Sequence, residues 1–177
     1  GIAQTAGSIV GTTLHSSAGA AGSVALTGTL NSIATLGNFS LSAGSFGLVS
    51  STSLAVVGSV IAPSTVSIAS SGALTIPSGG KISGATVALG GIDGILENAG
   101  GTILASGQLR GIGTIGGDVS LMGTANSVAA LGNMTVANGT QALGIVLIDT
   151  GNAGAVTLQP NIFATLGTVT VKNPNNG

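Results

Sequence analysis

The sequence has no cysteine, no tryptophan and no tyrosine, and its 177 residues include only three phenylalanines, four prolines and one histidine. Without cysteine, neither disulfides nor thiolate metal sites contribute to the fold, which fits an exported chain that stays uncrosslinked in transit. Charge is also scarce, at 4% of residues against roughly a quarter in an ordinary soluble domain. The ionisable side chains are Lys81, Arg110, Lys172, Asp93, Glu97, Asp118, Asp149 and His15, and the net charge is −1. So thin a distribution offers no field to steer nucleic acid, acidic substrates or an anionic membrane, and nucleic-acid partners are excluded. It also predicts that stability changes little with salt, or with pH between about 4 and 9.

Long hydrophobic runs are missing too. Although 44% of residues are hydrophobic, Gly, Ser, Thr and Asn interrupt every apolar stretch before the ~18 residues that a spanning helix needs. A transmembrane β-barrel would carry aromatic girdles, for which three phenylalanines are too few. The chain is read as not membrane-spanning. It begins at Gly1 with no basic-then-apolar leader, which suggests a piece of a longer protein.

The elements of catalysis are equally sparse. There is no Gly-x-Ser-x-Gly elbow, and His15 is the only histidine base. One histidine and four scattered carboxylates make no metal site. Gly111-Ile-Gly-Thr-Ile-Gly116 matches the letters of a dinucleotide fingerprint, but the motif works only where a helix opens behind it, and no helix can follow here. Gly79-Gly80-Lys81 resembles the end of a phosphate loop, but Thr75 and Ile82 stand where that loop needs Gly and Ser or Thr. A polysaccharide-cleaving enzyme would need clustered carboxylates on one face. Asp93 and Glu97, with Arg110 as partner, are the only close acidic set, and they read as flanking a solvated turn. No catalytic, cofactor-binding or metal-binding residue is assigned.

What the chain does contain is glycine, 32 residues of it, and β-branched side chains. The longest stretch free of Gly and Pro runs only from Leu48 to Val57, so the chain reads as β throughout. Apolar residues come in i, i+2 pairs, among them Val24/Leu26, Phe46/Leu48, Val66/Ile68, Leu74/Ile76, Val119/Leu121 and Val169/Val171, the period of strands with one buried face. The pairs recur about every 20 residues in three interleaved series. These are Leu26, Phe46, Val66 and Val87; Leu36, Val56, Ile76 and Ile95; and Leu41, Ile61 and Ile82. Such a pattern predicts an all-β, right-handed parallel β-helix of about nine coils, 19–21 residues and three strands per coil, the hand being the usual one for parallel crossovers. One solenoid should span 1–171, with irregular coils around 90–117 and a C-terminal tail or linker at 172–177.

One segment occurs three times: Val24-Ala-Leu-Thr-Gly-Thr-Leu-Asn-Ser-Ile-Ala-Thr-Leu-Gly37, Val119-Ser-Leu-Met-Gly-Thr-Ala-Asn-Ser-Val-Ala-Ala-Leu-Gly132 and the shorter Val156-Thr-Leu-Gln-Pro-Asn-Ile-Phe-Ala-Thr-Leu-Gly167. The first two lie 95 residues apart, which five coils of 19 would accommodate. Their asparagines, Asn31, Asn38, Asn126, Asn133 and Asn161, are read as structural turn positions, because Asn tolerates left-handed backbone and bonds its own main chain at turns.

The pattern Val-x-Leu-x-Gly-x-x-Asn-Ser-[Ile/Val]-Ala-x-Leu-Gly-Asn, joined to Gly72-Ala-Leu-Thr-Ile76 and Ser83-Gly-Ala-Thr-Val-Ala-Leu-Gly90, resembles the β-helical repeats of filamentous-haemagglutinin-like exoproteins of Gram-negative bacteria. The likeness covers residues 22 to 171. It implies secretion by a two-partner or autotransporter route to the cell surface, and a structural or adhesive role in an extracellular fibre, with host or matrix glycans as partners. The alternative is a filament subunit that stacks end to end on itself. In that case the low-charge strand Thr168-Val169-Thr170-Val171 is the expected contact, since charge normally protects an open strand edge.

Overall fold

Each apolar pair becomes a short strand whose side chains alternate between the axis and solvent, and each strand lies parallel on the equivalent strand of the preceding coil. The computed structural model describes residues 1–138, 143–151, 156–158, 162–164 and 168–173. Among these residues there is no helix, and every pairing in the three sheets is parallel. The chain is a β-solenoid.

Its second face is the most regular. Eight strands stack there in chain order: Val10–Leu14, Ser32–Leu36, Leu54–Val56, Leu74–Ile76, Ile95–Glu97, Val119–Leu121, Ile145–Ile148 and Val169–Lys172. Eight stacked strands make seven steps, so the solenoid has about seven turns rather than nine. The first face runs from Ile2–Ala3 through Val24–Leu26, Phe46–Ser50 and Thr65–Ser70 to the second halves of Lys81–Gly91 and Thr102–Gly111, then to Ala130–Leu131 and Thr157–Leu158. The third carries Phe39–Ser40, Ser59–Ile61, the first halves of Lys81–Gly91 and Thr102–Gly111, and Ser127–Val128. A small extra sheet of Thr114–Ile115, Met134–Val136 and Ile162–Ala164 joins the later coils.

Coil length explains the lower count. The step is 20 residues from Phe46 to Val66 but 22 from Val24 to Phe46, 26 from Val119 to Ile145 and 27 from Leu131 to Leu158. The later coils are longer because the extra sheet inserts a fourth short side. The residues around 90–117 carry a register shift between Ala105 and Gln108 and the start of the extra sheet at Thr114–Ile115, yet their strands are not short. They include the ends of the two longest strands, Lys81–Gly91 of 11 residues and Thr102–Gly111 of 10, which turn the corner between the third and first faces without breaking. A register shift between Gly84 and Thr86 absorbs the bend.

Register also corrects the columns. Phe46 stacks on Val24 rather than Leu26, and Leu26 on Leu48. Ile61 faces outward beside its inward neighbour Val60, which lies between Phe39 and Ile82. Leu36, Val56 and Ile76 share one axial column, but the next occupant is Glu97, while Ile95 stacks on Leu74. The interior is filled mainly with Leu, Ile and Val, with the Phe39 and Phe46 rings meeting at 4.9 Å between centroids.

The 95-residue recurrence is not a whole number of coils. Val24–Leu26 belongs to the first face and Val119–Leu121 to the second. From Val24 four steps lead to Leu109, and Val119 lies one face further on. The same words are therefore folded onto adjacent sides of the rod.

Candidate functional site

The outer surface is built from the alternate residues of each strand. On the second face the outward column reads Thr13, Thr35, Ala55, Thr75, Leu96, Ser120, Val146 and Thr170, each in register with the next. The Thr13 and Thr35 hydroxyls are 2.7 Å apart and share a hydrogen bond. His15 is exposed in the first coil. This surface is small, polar and nearly uncharged.

The acidic set does not assemble. Asp93 is exposed at the corner between the first and second faces, whereas Glu97 is completely buried. Arg110 lies along the first face, where its Nη1 donates to the Gly111 carbonyl at 3.4 Å. The reading of Asp93 and Glu97 as a solvated turn therefore fails for Glu97. The strand Ile95–Glu97 alternates in–out–in, which sends the carboxyl to the axis and the apolar Leu96 to solvent. Asp118, exposed one coil later, lines the same surface recess as Asp93, and its Oδ1 accepts the Gly144 N–H at 2.8 Å. Linear spacing hid this neighbour, because a coil separates the two. Among the described residues no group of three or more His, Cys, Asp or Glu could hold a metal ion. Gly111 to Gly116 forms the end of one strand and the short strand Thr114–Ile115.

The repeated asparagines divide into two kinds. Asn38 and Asn133 are exposed after second- and first-face strands; Asn38 Oδ1 accepts the Ser59 N–H at 2.8 Å, and the Asn133 carbonyl accepts the Gly111 N–H at 2.8 Å. Asn31 and Asn126 are instead fully buried. Asn161 lies outside the described residues.

Each buried asparagine closes the same arrangement. Asn31 Oδ1 accepts the Ile9 N–H at 2.8 Å, and Asn126 Oδ1 accepts the Ile103 N–H at 2.7 Å. Each Nδ2 donates to an oxygen of a side chain one coil earlier, Gln4 Oε1 at 2.8 Å or Glu97 Oε2 at 2.7 Å. The same oxygen accepts the N–H of the glycine three residues before the asparagine, Gly28 or Gly123, at 3.0 Å in both cases. Gln4 lies opposite Leu26 and Glu97 opposite Leu121, the two leucines that the recurrence equates. A larger residue at this turn would press on the lock. A Cβ on Gly28 would stand 2.6 Å from Gln4 Nε2, and one on Gly123 2.6 Å from Glu97 Oε1.

The two locks differ in one atom. Gln4 Nε2 donates to Asn31 Oδ1 at 2.8 Å, whereas Glu97 Oε1 has no hydrogen-bond partner among the described residues. Burial pushes the Glu97 carboxyl above its ordinary value of 4.5, against the lowering effect of the bonds from Asn126 and Gly123. The expected insensitivity to pH therefore does not extend to this group.

At the far end, Val169–Lys172 pairs with Ile145–Ile148 and is the last strand of the second-face ladder. Thr168 is exposed, Val169 is 39% exposed, and Thr170 and Val171 are half-buried. At the near end Val10 is 77% exposed on the outermost strand of the same ladder.

Fold and surface thus define a β-solenoid whose recurrent geometry is its ladder and whose chemistry-bearing groups are few. No protein-family model, no curated protein and no solved structure matches the chain. No helix among the described residues is long and apolar enough to cross a membrane.

Proposed function

We propose that the chain is a structural or adhesive rod, a segment of a secreted extracellular fibre on a Gram-negative bacterial surface. The observation that carries this reading is the unbroken eight-strand ladder of the second face, from Val10–Leu14 to Val169–Lys172. A parallel ladder of seven steps holds its outer residues at a fixed spacing of roughly 4.8 Å, so weak contacts made by one coil recur along the rod and add as avidity. Hydroxyl-bearing positions such as Thr13, Thr35, Thr75 and Ser120 suit hydrogen bonding to host or matrix glycans. The resemblance of the repeat pattern to haemagglutinin-like exoproteins supports export and surface display.

Beads coated with the protein should adhere to glycan-coated surfaces, and two copies joined in tandem should adhere more strongly than one. Equal, background-level retention of single and tandem rods on a broad panel of glycans and matrix proteins would remove the adhesive reading.

The second reading, a filament subunit stacking end to end, draws on the exposed edges at Val10–Leu14 and Val169–Lys172. Negative-stain microscopy separates the two, since long unbranched fibres indicate assembly and short rods a segment. The polysaccharide-active reading is the weakest, because Asp93 and Glu97 do not share a face.

A further inference from the structure

The glutamine lock and the glutamate lock are the same turn built twice, on different sides of the rod. In each, a side-chain oxygen of the earlier coil accepts from a glycine N–H and an asparagine Nδ2. The second side-chain atom lies at the same distance in both, 2.6 Å from the point where the glycine would carry a Cβ. In the first lock that atom is an N–H donor facing Asn31 Oδ1. In the second it is Glu97 Oε1, and the same point lies 2.7 Å from Asn126 Oδ1 and 2.6 Å from the Gly101 carbonyl oxygen. Three oxygens thus surround the point where Gly123 would carry a Cβ, and an ionised carboxylate supplies no donor among them, whereas the glutamine lock has the Gln4 Nε2 donor.

We infer that Glu97 is held as a neutral carboxylic acid whose Oε1–H donates to Asn126 Oδ1, so that a proton completes the lock that the Gln4 amide completes elsewhere. The elements packed on it offer no alternative counter-charge. Strands Leu74–Ile76 and Val119–Leu121, the segment 98–101 and the turn 122–126 contain no ionisable side chain. Lys81 and Arg110 sit at outward positions of their strands, beside the inward Ile82 and Leu109, and Asp93 is exposed. In the next coil Asp149 accepts the Val128 N–H at 3.3 Å. Loss of the proton removes one hydrogen bond and leaves a charge in the axial column between Ile76 and Leu121. The lock joins the coil of Ile95–Glu97 to the turn after Val119–Leu121, so this is the step that loosens as pH rises through the Glu97 midpoint.

The sign follows from proton linkage. A carboxyl that binds its proton more tightly in the folded state than in the unfolded chain makes the fold most stable in acid. That advantage declines as pH rises from the ordinary value of 4.5 through the folded-state midpoint, and then levels off.

Glu97 is the only glutamate in the sequence. Carbon-13 at the side-chain carboxyl therefore reports one titrating glutamate by NMR, because the glutamine amide carbons do not titrate. The expected titration of the folded protein has its midpoint above 4.5, and the melting temperature falls through that same interval. The Glu97→Gln variant, which places an amide where Gln4 has one, should fold and lose that portion of the pH dependence. A midpoint at or below 4.5 in the folded wild-type protein overturns the inference, whatever the variant does. So does a Glu97→Gln variant that folds with the wild-type pH profile.

Discussion

Asn126 and Asn133 belong to one copy of the recurrence and have opposite surroundings. Asn126 is fully buried and satisfies both the Ile103 N–H and the Glu97 carboxyl, whereas Asn133 is exposed. Asn126→Ala orphans a buried backbone donor and removes a donor from a buried acid, which should cost about 2–4 kcal/mol. Asn133→Ala should stay within about 0.5 kcal/mol of wild type. Urea unfolding of the two variants measures the contrast, and equal midpoints would contradict it. Only the Gly-Thr-x-Asn spelling common to 28–31 and 123–126 hinted at the buried role. The partner side chains were invisible in sequence because one is Gln4 and the other Glu97, each a coil away.

At the scale of the element, alternation within a strand was legible and stacking between strands was not. Leu54–Val56 and Leu74–Ile76 show the in–out–in burial that their i, i+2 apolar pairs predict. Which pair lies over which depends on the residues spent at each corner, and corners vary from coil to coil. Hence the sequence spacing aligns Leu26 with Phe46 although it stacks on Leu48, and puts Ile95 in a column that Glu97 occupies. The column of Leu36, Val56 and Ile76 is correctly placed. Val56 is fully buried, with no asparagine or turn N–H given to its side chain, unlike Glu97. Val56→Asp should therefore cost at least about 3 kcal/mol, read as a lowered denaturation midpoint. An unchanged midpoint would show that Val56 does not face a dry axis.

At the scale of the whole molecule, an elongated stack leaves its last strands half-paired. Replacing both Val169 and Val171 with Lys places charge on the final strand of the second-face ladder. If the chain forms fibres end to end, this double variant should abolish them while the circular dichroism of the central coils is retained. Fibres of unchanged length would exclude that edge as the contact. Few charges on the outer faces also predict that the melting temperature hardly differs between low salt and about 1 M salt, because little charge interaction exists to be screened. A shift of tens of degrees would reveal an electrostatic contact between coils or between rods.

Composition and period alone determined the fold class. A chain so frequently interrupted by glycine, with apolar residues at every second position and recurring about every 20 residues, can bury them only by coiling parallel strands around one axis. The tertiary structure decided how many coils there are, which words of the recurrence share a face, and that a glutamate stands inside while its apolar neighbour Leu96 faces solvent. The reason is cumulative. Strand alternation is a local property with a period of two, but register is the running sum of corner lengths, so one or two residues gained at a corner displace every later column and can turn a repeat from one face to the next.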